Sequence, residues 1–147
     1  MLLQATLDEN LLAAIKSGDS FTKETLRFLK SIIKNAEIDS GQALTDEQIV
    51  SLIQKEVKKR VEAEAIYRQI DKIDLADKEF QEMTLLKKYL PAQMDEAAII
   101  AGVTEYLKDN PTDMSQMGQA MGALSAKFAG KADMSLVSQI LRQQIQK

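Results

Sequence analysis

The chain has 147 residues, with 19 basic against 22 acidic side chains, a formal net charge of −3, and neither cysteine nor histidine. Without those two residue types there is no disulfide, no thiolate or imidazole metal ligand, and no serine–histidine or cysteine–histidine catalytic pair. The charge balance excludes a chain that is basic throughout, so any affinity for nucleic acid has to come from a local patch.

Six glycines and two prolines are few for this length. Alanine, leucine, isoleucine, glutamine, lysine and glutamate dominate, which is the composition of a helical protein. No apolar run reaches the roughly 18 residues of a membrane span. The first residues lack the basic-then-apolar order of a signal peptide. The expectation is a cytoplasmic, all-α chain with no membrane partner.

Leu2 to about Ser17 reads as a first helix, with Leu3, Leu7, Leu11 (or Leu12) and Ile15 at helical spacing. Ser17-Gly18-Asp19-Ser20 breaks it, and Ser20 or Thr22 is positioned to cap the next. That second helix, about Thr22 to Asp39, has two faces. Leu26, Leu29, Ile32, Ile33 and Ala36 form the apolar one, extended by Phe28. On the other, Lys23, Arg27, Lys30 and Lys34 step by four, three and four. Such a row of cations is either a solvated face or a track for a phosphate backbone.

Ser40-Gly41 ends this helix, and Thr45 with Gln48 forms a capping box for a third, Asp46 to about Ile70. Val50, Ile53, Val57 and Val61 are its expected inner stripe. Lys55, Lys58, Lys59 and Arg60 make a second basic cluster, with Glu56, Glu62 and Glu64 near enough for pairing within the helix. A polar turn at Asp71–Asp74 precedes a fourth helix, Leu75 to Tyr89, carrying Phe80, Met83, Leu86 and Leu90, and Pro91 stops it. The domain boundary is expected here, dividing the chain into 1–91 and 92–147.

Asp95 caps a helix bearing Ile99, Val103 and Leu107. After Asp109-Asn110-Pro111-Thr112 comes a helix from about Asp113 to Ala129. Its Met117, Met121, Leu124 and Phe128 line one face, and Gly118, Gly122 and Ala126 make a ridge with almost no side chain beside them. Two glycines inside a helix cost roughly 1 kcal/mol each relative to alanine, so the ridge is expected to receive either a closely packed helix or a ligand. Asp133 caps the last helix, with Leu136, Val137, Ile140 and Leu141 inside. The architecture expected is two small helical bundles, of four helices and then three.

No catalytic constellation emerges. The acidic pairs Asp8-Glu9, Asp46-Glu47 and Asp95-Glu96 read as residues at helix starts, favoured there by the helix dipole. No metal site or cofactor motif appears.

The order Lys58-Lys59-Arg60, Glu62-Ala63, Tyr67, Asp74-Leu75, Lys78-Glu79, Glu82, Leu86 and Tyr89-Leu90-Pro91 resembles the YqeY family. So do Arg27 to Asn35, Leu44 to Glu47, the later run Met117 to Leu124, and Gly130-Lys131-Ala132-Asp133 with Leu136-Val137. The resemblance implies a small bacterial cytosolic protein of two helical domains, similar to the C-terminal region of GatB, a subunit of the tRNA-dependent amidotransferase. That tail holds the body of the tRNA and does no chemistry. By position, Gly118, Gly122, Gly130, Lys131 and Asp133 match its signature. Gln119 stands where the family usually has lysine, and Met134-Ser135 where it usually has Gly-Lys. From Pro91 onward five basic residues face six acidic ones, net −1.

Three readings follow. The first is a non-catalytic tRNA-interacting accessory module, with Lys23, Arg27, Lys30, Lys34, Gly118, Gly122, Lys127 and Lys131 as the candidate RNA-binding set. The second is a helical module for a protein partner, in which the glycine ridge serves internal packing alone. The third, implied by the family at large, is a carbon–nitrogen ligase with glutamine as amido donor, for which these residues offer no ATP site and no amidase nucleophile.

Overall fold

A computed structural model describes residues 2–128 and 130–146. The described residues form seven α-helices and one short 3-10 turn. They divide into two compact units, Met1–Leu90 and Pro91–Lys147.

The first unit holds α1 (Leu2–Ser17), α2 (Ser20–Ser40), α3 (Asp46–Gln69) and α4 (Ile73–Lys87). The cap of α2 is Asp19, ahead of the expected Ser20 or Thr22 by one and three residues. Its carboxylate accepts from the Thr22 backbone N–H at 3.1 Å and from the Thr22 hydroxyl at 2.7 Å. The hydroxyl bond, then the backbone bond, holds the Asp19 carboxyl below the usual aspartate range. At the other end Gly41 takes the left-handed conformation, φ 71°, and its N–H reaches the Glu37 carbonyl. The capping box at the start of α3 is fully formed. Asp71 accommodates a φ of 62° in the turn before α4, which begins at Ile73 rather than Leu75.

Leu7 of α1, Leu26, Leu29 and Ile33 of α2, Ile49, Ile53 and Val57 of α3, and Met83 and Leu86 of α4 make the core of this unit, closed by Leu44 from the α2–α3 loop. The inner stripe of α3 differs from the expected one. Val61 is 46% exposed, and the buried residues are Ile49, Ile53, Glu56, Val57 and Arg60. A hydrophobicity pattern passes over a glutamate and an arginine, but these two neutralise each other on the inner face. Ile15 and Phe80 also turn outward, while the smaller Ala14 and Ala76 are buried on the same helices. Asp8-Glu9 is not at a helix start; it sits in the middle of α1.

The second unit holds α5 (Glu96–Asp109), a 3-10 turn (Met114–Gln116), α6 (Met117–Phe128) and α7 (Met134–Ile145). Asp113 caps the 3-10 turn, so α6 starts four residues later than expected, and its expected end at Ala129 lies outside the described residues. Leu124 and Phe128 of α6 are buried with Ile99 and Val103 of α5 and Val137, Ile140 and Leu141 of α7. Met117 and Met121 pack at the edge of this cluster.

The glycine ridge does not serve packing. Gly118 and Gly122 are exposed, and a Cβ built on either meets nothing within 4 Å. They lie on the stripe next to the buried one and face outward. The close approach is elsewhere, at Gly102 of α5, where a Cβ would fall 2.7 Å from Cε1 and 2.9 Å from Cζ of the buried Phe128 ring.

These positions give opposite expectations for the same substitution. Gly118→Ala and Gly122→Ala should each raise stability by about 0.5–1 kcal/mol, since they add helix propensity without a clash. Gly102→Ala should lower it by about 1 kcal/mol net, because overpacking against Phe128 exceeds the propensity gain. Denaturant midpoints of the three variants check the ordering; a Gly102→Ala protein more stable than the other two would refute it.

Candidate nucleic-acid interface

The apolar face of α2 is committed to the core through Leu26, Leu29 and Ile33. That commitment turns Lys23, Arg27, Lys30 and Lys34 to the outside along one stripe. Eleven residues at the helical rise place its ends roughly 16 Å apart. Arg27 and Lys34 are exposed, Lys23 and Lys30 half-buried. Lys30 forms an ion pair with Asp8 of α1. Among the described residues, Lys23, Arg27 and Lys34 take part in no ion pair.

Arg27, Lys30 and Lys34 line a groove of about 460 Å³ that also includes Asp8 and Glu37. The Glu37 carboxylate is engaged there, accepting from the Leu44 N–H at 2.9 Å and the Gln4 side-chain amide at 3.1 Å.

The remaining candidates sit in the second unit. Gly118 and Gly122 expose the backbone of α6. Lys127 is partly spent internally: its ammonium lies 3.5 Å from Glu105 and donates to the Gly102 carbonyl. Lys131 is exposed in the loop before α7; its N–H donates to the Phe128 carbonyl and its own carbonyl accepts from Met94 at 2.8 Å.

Sequence reasoning missed the role of Arg60, which it grouped with the surface lysines. Arg60 is only 9% exposed. Its Nη1 donates to Glu56 Oε1 at 2.9 Å and to the Glu56 carbonyl at 3.0 Å, and its Nε lies 3.3 Å from Glu82 Oε2. The guanidinium stands 5.4 Å from the centre of the Phe28 ring. One side chain thus touches α2, α3 and α4. Burial pushes the Glu56 carboxyl up, but hydrogen bonds from Arg60 and Lys59, with their charges, outweigh it and hold the group below the usual glutamate range. Glu79 goes the other way: burial, then the neighbouring Glu82 charge, pushes it up, and the Arg60 and Lys78 charges offset only part of this. The available signal was Glu56 and Arg60 at i,i+4 on the same face as Ile53 and Val57, facing a helix with Glu79 and Glu82.

No group of three or more acidic side chains among the described residues is placed to hold a metal ion. No helix among them is long and apolar enough to cross a membrane. What the geometry of α2 provides is an exposed basic stripe opposite a buried apolar one.

Residues 4–145 match the family described as Yqey-like protein. The chain belongs to the YqeY family. Relatives include an uncharacterized protein of Schizosaccharomyces pombe, 33% identical over 89 residues, which span 60% of this chain and 72% of that protein. They also include altered inheritance of mitochondria protein 41, mitochondrial, from two yeasts. The Clavispora lusitaniae protein is 36% identical over 97 residues, 64% of this chain and 56% of that protein. The Kluyveromyces lactis protein is 29% identical over 130 residues, 84% of this chain and 69% of that protein. In the Clavispora comparison the matched stretch is little more than half of the relative's length.

The Arg60 network generates a stability prediction with a pH signature. Arg60→Ala should destabilise the YqeY fold by about 2–3 kcal/mol, because buried Glu56 then keeps only the exposed Lys59 as a cationic partner and half-buried Glu82 loses its facing charge. The lowered folded pKa of Glu56 means its contribution is present above the ordinary value of 4.5 and is lost as pH falls through the folded value. Glu79, with its pKa raised above 4.5, opposes folding once pH exceeds that value. Glu79→Gln should therefore stabilise at neutral pH and have no effect well below 4.5, which urea unfolding across pH measures directly. An equal gain at both pH extremes would contradict the assignment.

Proposed function

We propose that this YqeY-family chain is a non-catalytic, cytoplasmic accessory module that contacts tRNA, with the α2 face as its main electrostatic contact. The observation that carries the reading is the row Lys23, Arg27, Lys30 and Lys34, presented on one face of a helix whose other side is fixed in the core, with three of the four in no ion pair among the described residues. Phosphate neutralisation by such residues supplies most of the sequence-independent affinity for RNA. The resemblance of Gly118, Gly122, Gly130, Lys131 and Asp133 to the GatB tail's signature is what directs the reading to tRNA. The outward-facing ridge of Gly118 and Gly122, with Lys131 in the following loop, offers a second surface where a sugar–phosphate backbone reaches a helix without meeting side chains.

A second reading, a protein-interaction module, draws on the α3–α4 hairpin. Ile66, Ile70, Ile73 and Leu75 are each more than two-fifths exposed around its tip. Nothing among the described residues specifies what would cover this group, whereas the α2 stripe carries a charge that specifies its ligand, so the charged face of α2 weighs more. Carbon–nitrogen ligase activity is not proposed for this chain.

Titration of fluorescently labelled tRNA at a series of salt concentrations tests the RNA reading. Binding should weaken linearly with log salt. Replacing Lys23, Arg27 and Lys34 together by alanine should make the slope shallower by about two to three units. No binding at low salt, or an unchanged slope in the triple variant, would reject α2 as the contact.

A further inference from the structure

We propose that the groove between α1 and α2 is a phosphate-recognition subsite in which Asp8 holds Lys30 as an internal stand-in for the incoming anion. The inference rests on the α2 reading for the location of the ligand, and narrows it to a chemistry and a control. Arg27, Lys30 and Lys34 fall at i, i+3 and i+7, so all three line the groove from one helix face. Buried Leu7 and Ile33 form its apolar floor. A floor that excludes water on one side strengthens charge–charge interactions above it relative to open solvent. The volume of about 460 Å³ lies within the range of small-molecule sites, about 300–1,000 Å³.

The groove carries a formal excess of one positive charge, three cations against Asp8 and Glu37. Glu37 keeps its charge, but its Oε2 is held in place by the Leu44 N–H and the Gln4 amide. Among the described residues, Asp8 forms an ion pair with Lys30 alone. An arriving anion therefore meets Arg27 and Lys34 directly and exchanges with Asp8 at Lys30. A single carboxylate satisfies one of these cations, as Asp8 does. A phosphate or pyrophosphate, with several oxygens and more than one negative charge, satisfies two or three, and the planar guanidinium of Arg27 matches phosphate oxygens in pairs. The Asp8–Lys30 pair is exposed, with side chains 57% and 41% accessible, so it is weak enough to yield. A monovalent anion gains little by displacing Asp8 from Lys30, whereas a phosphate that also engages Arg27 and Lys34 gains more. The phosphate comes either from an RNA strand or from a free phosphorylated small molecule, and the two sources are separable.

The test uses the full chain at low salt, with inorganic pyrophosphate as probe and acetate as control, followed by calorimetry and by backbone amide shifts. Pyrophosphate should move amides of α1 and α2 around Asp8 and Arg27–Lys34; acetate should not. Asp8→Asn should tighten pyrophosphate about two- to fivefold, the range expected from losing an exposed competing ion pair. Glu9→Gln makes the same charge change on an exposed neighbour outside the groove and should leave the affinity within about 1.5-fold, since an exposed charge near the groove is screened by solvent and salt. Arg27→Ala with Lys34→Ala should weaken binding at least about tenfold, as expected for two lost charge-assisted contacts, with circular dichroism melts confirming the fold. The same variants are then titrated with tRNA. If Asp8→Asn tightens both ligands, the subsite serves RNA. If it tightens pyrophosphate while tRNA does not bind, the groove serves a free phosphorylated ligand and the RNA reading falls. If tRNA binds but Asp8→Asn leaves it unchanged and pyrophosphate moves no groove amide, the subsite is overturned and the RNA reading stands. If neither ligand binds, both fall.

Discussion

Arg60 is the constraint on which the first unit depends. Its guanidinium is enclosed by Glu56 from its own helix, Glu82 from α4 and the ring of Phe28 from α2. A buried ion pair is weak support for net stability, because desolvation offsets most of its Coulomb energy. Its consequence here is geometric. Glu82 sets α4 along α3, reinforced further out by Arg68 bridging Glu64 and Asp77. Phe28 fixes how α2 is rotated at that level. Once Phe28 faces Arg60 and Leu26, Leu29 and Ile33 face the core, the stripe from Lys23 to Lys34 has nowhere to point but away from α3.

Most of the helices were legible because several carry their own punctuation. The Thr45–Gln48 capping box, Gly41, Asp95 and Asp133 all act as their residue types require. The apolar periodicity of α2, α5 and α7 gave the right inner faces, since those stripes contain no charge, except that Phe28, expected to extend the α2 face, is 49% exposed and lies against Arg60 instead of in the core. It failed on α3. There the inner face includes Glu56 and Arg60, and counting apolar residues shifted the expected stripe toward Val61. Charges that satisfy one another across helices are invisible to a pattern read within one helix.

The glycines show a similar limit. Gly118 and Gly122 drew attention because their spacing is regular, yet they face open space, while Gly102, alone in its helix, is where a side chain from α6 comes within contact of α5. Spacing says which residues share a face; it does not say whether anything lies opposite. The basic stripe of α2 was read correctly as a shared face, but its local electrostatics came only with the tertiary contacts. Asp8, expected at a helix start, instead meets Lys30 across α1 and α2, and Glu37 is drawn off by the loop after α2.

These points give the YqeY chain a functional logic built on one well-anchored helix. Arg60 and the core hold α2 in place, three of the four cations on its outer stripe form no ion pair among the described residues, and the second unit adds an exposed helix surface at Gly118 and Gly122. The most direct test is to map, by amide hydrogen exchange at low salt, where tRNA protects the protein. The account predicts slowed exchange concentrated in α2 and the facing part of α1, with the exposed tip of the α3–α4 hairpin unchanged. Protection confined to that tip, or none anywhere, would contradict it.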